Sequence, residues 1–176
     1  LRKTISILSV LLALTAVVSF AGCAARISAT GDQFRTATEA KGYTITDIMA
    51  ADEEANSSSA SSSDSSAASS ESASSSNQEY TDFLVATKEE EEIELDLVNY
   101  TSESTAKMAF SNIKNNIDKS AKVSVNEVTS DAYCRYTIVN GEYYYALARV
   151  NKSVLFATGP ASAKDEIDSI FNELKY

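Results

Sequence analysis

The chain has no histidine and no tryptophan, and its 176 residues include only two cysteines, one proline and five glycines. Without histidine it lacks the commonest general base and the commonest neutral metal ligand. Two cysteines, at 23 and 134, offer no zinc spacing and no disulfide framework if Cys23 is modified. Bases are scarce too: 15 Lys and Arg face 25 Asp and Glu, a net charge of −10. Without Arg2 and Lys3, thirteen bases face the same 25 acids and the charge becomes −12. A surface of that sign repels nucleic acid and anionic lipid, so nucleic acid is set aside as a partner. No residue constellation names a reaction, a cofactor or a metal.

What is present begins at the N-terminus. Arg2 and Lys3 precede an uncharged stretch that lasts until Arg26, the layout of a secretory signal. Ala21 and Gly22 stand directly before Cys23. "SFAGCAA" thereby resembles the lipobox of bacterial lipoproteins, with Phe20 where that family usually has Leu. The resemblance implies a signal peptide over residues 1–22, cleavage before Cys23, and diacylglycerol on its thiol. Two acyl chains supply the two hydrophobic signals that stable attachment needs. The alternative is an uncleaved transmembrane helix, since about 20 apolar residues span a bilayer. Either way the remainder lies outside the cytoplasm, with the basic end inside.

Residues 51–79 are dominated by Ser and Ala, with acids but no base and no aromatic ring. Such a segment cannot bury enough apolar surface to offset its ordering entropy, and it reads as disordered, either as a tether, glycosylated or bare, or as a plain spacer. The segment before it reads as structured. Phe34, Ala37 and Lys41 share a helical face, Gly42 is placed to end that helix, and Tyr43, Ile45 and Asp47 alternate with threonines as in a strand. So short a pair would not fold alone. The expected organisation is a tether at 23–29 and a single domain at 30–176 interrupted by the insertion at 51–79. The competing organisation is a membrane-proximal piece, a stalk and a separate domain.

Beyond the tract, "FLVAT" and "IELDLVNY" read as a hairpin around the polar turn "KEEEE", the second strand alternating Ile93, Leu95 and Leu97 against a solvated face. Ala106, Ala109, Phe110, Ile113 and Ile117 mark an amphipathic helix capped by Thr101 or Ser102. A strand follows at 122–128. Asn140-Gly141 is a strong hairpin signal; taken as the two turn residues, it sets Ile138 against Tyr143 and Tyr136 against Tyr145. A second turn at Asn151-Lys152 sets Leu147 against Phe156. One face then holds Cys134, Tyr136, Ile138, Tyr143, Tyr145, Leu147, Val154 and Phe156, the expected core. The opposite face, with Arg135, Tyr144, Ala146, Ala148, Leu155 and Ala157, is neither polar nor bulky. Pro160 opens a final amphipathic helix through Ile167, Ile170, Phe171 and Leu174. The expected class is α+β, a mainly antiparallel sheet with two or three amphipathic helices packed on it. The lipobox, "KGYTITD" and "NGEYYYALARVNKSVLFA" together resemble small lipoproteins of Gram-positive, clostridia-like bacteria. That resemblance implies an address and a fold style, and no active-site residue.

Candidate chemistry is sparse. Ser104 and Lys107 match the S-x-x-K spacing of serine nucleophile and lysine, but no S-D-N or K-T-G partner follows, and Ser111 with Lys114 matches it again; helix caps explain both. The carboxylates at 89–92, 94 and 96 lack the ligand spacing and turn glycine of a calcium loop, and read as a solvated turn. Cys134 reads as a buried core thiol. Tyr143, Tyr144 and Tyr145 with Arg135 and Arg149 are either strand formers or a recognition surface. The small-residue face is either covered by a helix or open as a binding groove with Arg135 and Tyr144 on its rim. The expectation is a non-enzymatic, lipid-anchored, extracytoplasmic domain that binds an envelope protein or a small ligand. The alternatives are an envelope enzyme or accessory factor, and a structural spacer.

Overall fold

The computed structural model describes residues 26–50 and 79–176. The expected signal peptide, the acylated Cys23 and nearly all of the serine tract lie outside the described residues. Helix α1 (Gly31–Glu39) starts where Thr30 and Gln33 exchange side-chain hydrogen bonds to each other's backbone N–H. It stops at Gly42, whose φ of 85° suits glycine, and strand β1 (Thr44–Asp47) follows. Strands β2 (Tyr80–Lys88) and β3 (Ile93–Tyr100) form the expected hairpin around a 3-10 turn at Glu89–Glu91. Helix α2 (Glu103–Asn116) is capped by Ser102, which accepts the N–H of Thr105 at 3.1 Å. Strands β4 (Lys122–Thr129), β5 (Tyr133–Asn140), β6 (Tyr143–Val150) and β7 (Ser153–Pro160) run as a meander into helix α3 (Lys164–Glu173).

The seven strands form one antiparallel sheet in the order β1-β2-β3-β7-β6-β5-β4. The fold is α+β, two meanders of three and four strands joined where β3 pairs with β7. Helices α1 and α3 cover one face, burying Phe34, Ala37, Ile167, Ile170 and Phe171 against Leu95, Leu97, Tyr144, Leu155 and the sheet alanines. Helix α2 covers part of the other, with Ala106 and Phe110 against Tyr136, Ile138, Leu147 and Val154. Each such large side chain contributes about 1.5–3 kcal/mol by its burial. β6 and β7 lie between both layers, so their alternation fades and both faces are core.

The small-residue face is therefore covered. Ala146, Ala148, Leu155 and Ala157 have no exposed surface, so of the two readings the covered face holds, and these candidate binding-surface residues do not line an open groove. Alanines at these positions, with Gly159, let helix α3 approach closely. A side chain at Gly159 would come within 3.3 Å of Ile167 and of Ile93.

Three further expectations are corrected. The first hairpin turn is Gly141-Glu142, because Asn140 belongs to the ladder opposite Tyr143. Gly141, with φ of 63°, takes the first central position, where a type II′ turn places glycine. The side chain of Asn140 accepts the N–H of Ala121 and donates to the carbonyl of Asp118, both at 2.8 Å, fastening the α2–β4 connection. Tyr136 therefore faces Leu147 and Ile138 faces Tyr145; since the offset is two residues, each side chain keeps its expected face. Secondly, Pro160 closes β7 as well as standing at the helix start: a 3-10 turn at Ala161–Ala163, capped by Pro160, runs directly into α3. Thirdly, residues 26–29, expected as tether, run along the domain. The Arg26 guanidinium lies 3.7 Å from the ring centre of Tyr133 and donates to the carbonyl of Lys175 at 3.1 Å. Ser28 donates to the carbonyl of Val150 at 2.8 Å.

Candidate functional site

Because the helices are staggered across the sheet, each face keeps one bare end. On the α3 face the bare end is β4–β5; on the α2 face it is β2–β3. Each carries a cleft.

The cleft at β4–β5, about 520 Å³, has a floor of Ser124, Asn126, Val128, Thr137 and Val139, and a wall of Arg135, Tyr144, Lys164 and Asp168. Asp168 organises that wall. Its carboxylate accepts from Arg135 Nη2 at 2.6 Å, from the Tyr144 hydroxyl at 2.7 Å and from Lys164 Nζ at 2.6 Å. Arg135 also donates to the carbonyl of Tyr176 at 3.1 Å. Burial by itself would raise the Asp168 carboxyl, but the donors Lys164 and Tyr144 and the charge of Arg135 outweigh it and hold the group below its usual range. The Tyr144 phenol is pushed up, first by burial and then by Asp168. All three donors thus converge on Asp168, and the cluster fastens α3 to the sheet.

The cleft at β2–β3, about 310 Å³, differs in kind. Glu79, Tyr80, Phe83, Asp96, Val98, Tyr100, Ile113, Val154 and Phe156 line it. Register brings them together: Asp96 lies opposite Phe156 on β7 and Val85 on β2, while Val98 lies opposite Phe83 and Val154. Tyr80 and Phe83 pack edge to face, with ring centres 5.8 Å apart. Asp96 accepts no hydrogen bond and forms no ion pair among the described residues, and neither Lys nor Arg lines the cleft. Burial, reinforced by the charge of Glu94, pushes its carboxyl up to about 6. An apolar hollow with one perturbed polar group is the usual form of a small-ligand site.

The residues singled out in the sequence divide accordingly. Arg135 and Tyr144 do line a cleft, on the wall rather than the rim of a groove, whereas Ala146, Ala148, Leu155 and Ala157 lie beneath the helices. Arg149 joins no surface with Arg135. It is 2% exposed on the opposite face, donating to the carbonyls of Asn151 at 3.0 Å and Asp131 at 2.6 Å, 3.5 Å from Glu103. Cys134 is buried beside it. Lys107 pairs with Glu103 at 3.0 Å, and Ser104 lies 2.9 Å from Ser102, so the S-x-x-K pair does not converge. The acidic turn is tied down through Lys88, which reaches Glu91 at 2.8 Å and Glu166 at 3.1 Å. Among the described residues no cluster of acids and cysteine is arranged to hold a metal, and no helix is long and apolar enough to cross a membrane.

Asp168 and Lys164 were not read from the sequence as site residues, and Asp96 was weighed only with the acidic run at 89–94 and set aside as part of a solvated turn. The available signals were Phe83, Val98 and Tyr100, apolar residues on the supposedly solvated side of the first hairpin, and the four-residue spacing of Lys164 and Asp168.

No protein-family model, no curated protein and no solved structure matches this chain.

Proposed function

We propose that this is a lipid-anchored extracytoplasmic binding module, held by diacylglycerol on Cys23 and using its domain to capture a ligand in the cell envelope. The observation that carries the binding part is the Asp96 cleft: a largely desolvated carboxylate among aromatic side chains, with no hydrogen-bond or ion-pair partner among the described residues. The pairing of Lys107 with Glu103, away from Ser104, weighs against the hydrolase alternative. The anchor rests on the sequence "SFAGCAA" after an uncharged stretch.

The anchor is tested by feeding cells an alkyne-bearing fatty acid and comparing the wild-type protein with Cys23→Ala. The wild type is expected to carry the label and to remain with the membrane fraction. The variant is expected to lose the label and to be either unprocessed or released. Labelling that persists in Cys23→Ala would overturn the anchor.

A further inference from the structure

Resting on the binding-module reading, we propose that the cleft between β2, β3 and β7 takes a small free organic ammonium ion, with Asp96 as its counter-charge and Tyr80, Phe83, Tyr100 and Phe156 around its alkyl substituents.

The charges point to a cation. Both ionisable acids of the lining, Glu79 and Asp96, are carboxylic, no base lies among them, and Glu94 adds a third negative charge on the same side of β3. Aromatic rings attract organic cations through their negative faces, and a carboxylate in a partly dry site has more to gain from such a partner than one in water. The apolar part of the lining points to a cation that carries alkyl groups rather than a hydrated metal ion. Val98, Ile113, Val154 and Phe156 cannot coordinate a metal, whereas hard cations require several oxygen ligands.

Size and sign narrow the occupant further. The volume, about 310 Å³, stands near the lower end of small-ligand sites, which run to ~1,000 Å³. A zwitterionic lipid headgroup would bring a phosphate to a lining whose carboxylates, Glu79 and Asp96, are negative, and the charged residues of segment 51–79 of this same chain are all acids, so neither complements the cleft.

The test uses the full chain in maltoside micelles at pH 7.5, with amide resonances of Val98, Tyr100 and Phe156 followed by NMR. The probes are choline and 3,3-dimethylbutan-1-ol, its uncharged isostere, with phosphocholine as a third. Choline is expected to shift these resonances and to bind at least ~tenfold more tightly than the isostere, the scale of one partly desolvated charge interaction. Asp96→Asn is expected to bring choline down to the affinity of the isostere. Glu94→Gln, which removes a neighbouring charge outside the lining, is expected to leave most of the preference. Equal binding of choline and isostere by the wild type would overturn the cation assignment and leave a binding module with an apolar cleft. Loss of the preference in Glu94→Gln as complete as in Asp96→Asn would overturn the role of Asp96. Tighter binding of phosphocholine than of choline would overturn the free cation in favour of a headgroup. No response to any probe would overturn the cleft as a binding site, and the module reading with it.

Discussion

The two bare ends of the sheet use the same kind of residue to opposite effect. At β4–β5, Asp168 is surrounded by three donors and ties a helix down. At β2–β3, Asp96 has no partner among the described residues and lies among aromatic rings. A carboxylate whose hydrogen bonds are met adds to stability, whereas a desolvated one without a partner subtracts from it. A stability cost at a cleft is the usual mark of a group kept for something other than folding. The larger cleft, richer in charge, is therefore the structural one, and the smaller and more apolar cleft is the functional candidate.

The largest expected effect comes from breaking the satisfied end. Asp168→Ala leaves Arg135, Lys164 and the Tyr144 hydroxyl without their acceptor, and should cost about 2–3 kcal/mol in urea unfolding. A double-mutant cycle of Asp168→Ala with Arg135→Ala should show a coupling of about 1 kcal/mol or more; strict additivity would show that the pair is incidental.

Next in size is the opposite response at the other end. In the unfolded chain Asp96 titrates near the usual aspartate value of ~4, and in the fold near about 6. Between those values the folded protein holds the proton and the unfolded chain does not, so rising pH costs stability across this window and no more above it. Asp96→Asn should accordingly stabilise the protein by roughly 2 kcal/mol at pH 7.5, the gain fading towards pH 4. Asp168 has the reverse sign: its contribution is complete above the unfolded value and disappears as acid protonates it. Urea midpoints of Asp96→Asn at pH 4.5 and 7.5, and of Asp168→Ala at pH 2.5 and 4.5, each against the wild type, measure the two slopes, and a shared sign would remove the contrast between the clefts.

The smallest effect belongs to Lys164→Ala. Lys164 is the most exposed member of the Asp168 cluster and bonds four residues along its own helix, so its loss should change stability by no more than about 0.5 kcal/mol. An effect as large as that of Asp168→Ala would mean that the network depends on the lysine rather than on Arg135.

Local order was legible in the sequence wherever one period dominated. The alternation of Ile93, Leu95 and Leu97, the helix built on Ala106 and Phe110, and the β6–β7 register with Leu147 opposite Phe156 are all present. The register of β5–β6 was off by two, because Asn140 uses its side chain to hold Asp118 and Ala121 instead of forming the turn. The Asp96 cleft was not legible. Read along β3 alone, Asp96 belongs to a solvated face; it becomes desolvated only when β7 brings in Phe156 and β2 brings in Phe83. Phe83 lies across the local hairpin, but Phe156 comes from a strand 60 residues further along the chain, and no local pattern records that meeting.

The docking of Arg26 bears on how the domain would stand at a membrane. Between Cys23 and the guanidinium that rests on Tyr133 lie only two residues, and even a fully extended chain of that length spans about 10 Å. With Cys23 acylated, the domain would ride against the headgroups with its Tyr133 and Lys175 end turned inward. The serine tract connects β1 to β2 within one sheet and adds nothing to that distance.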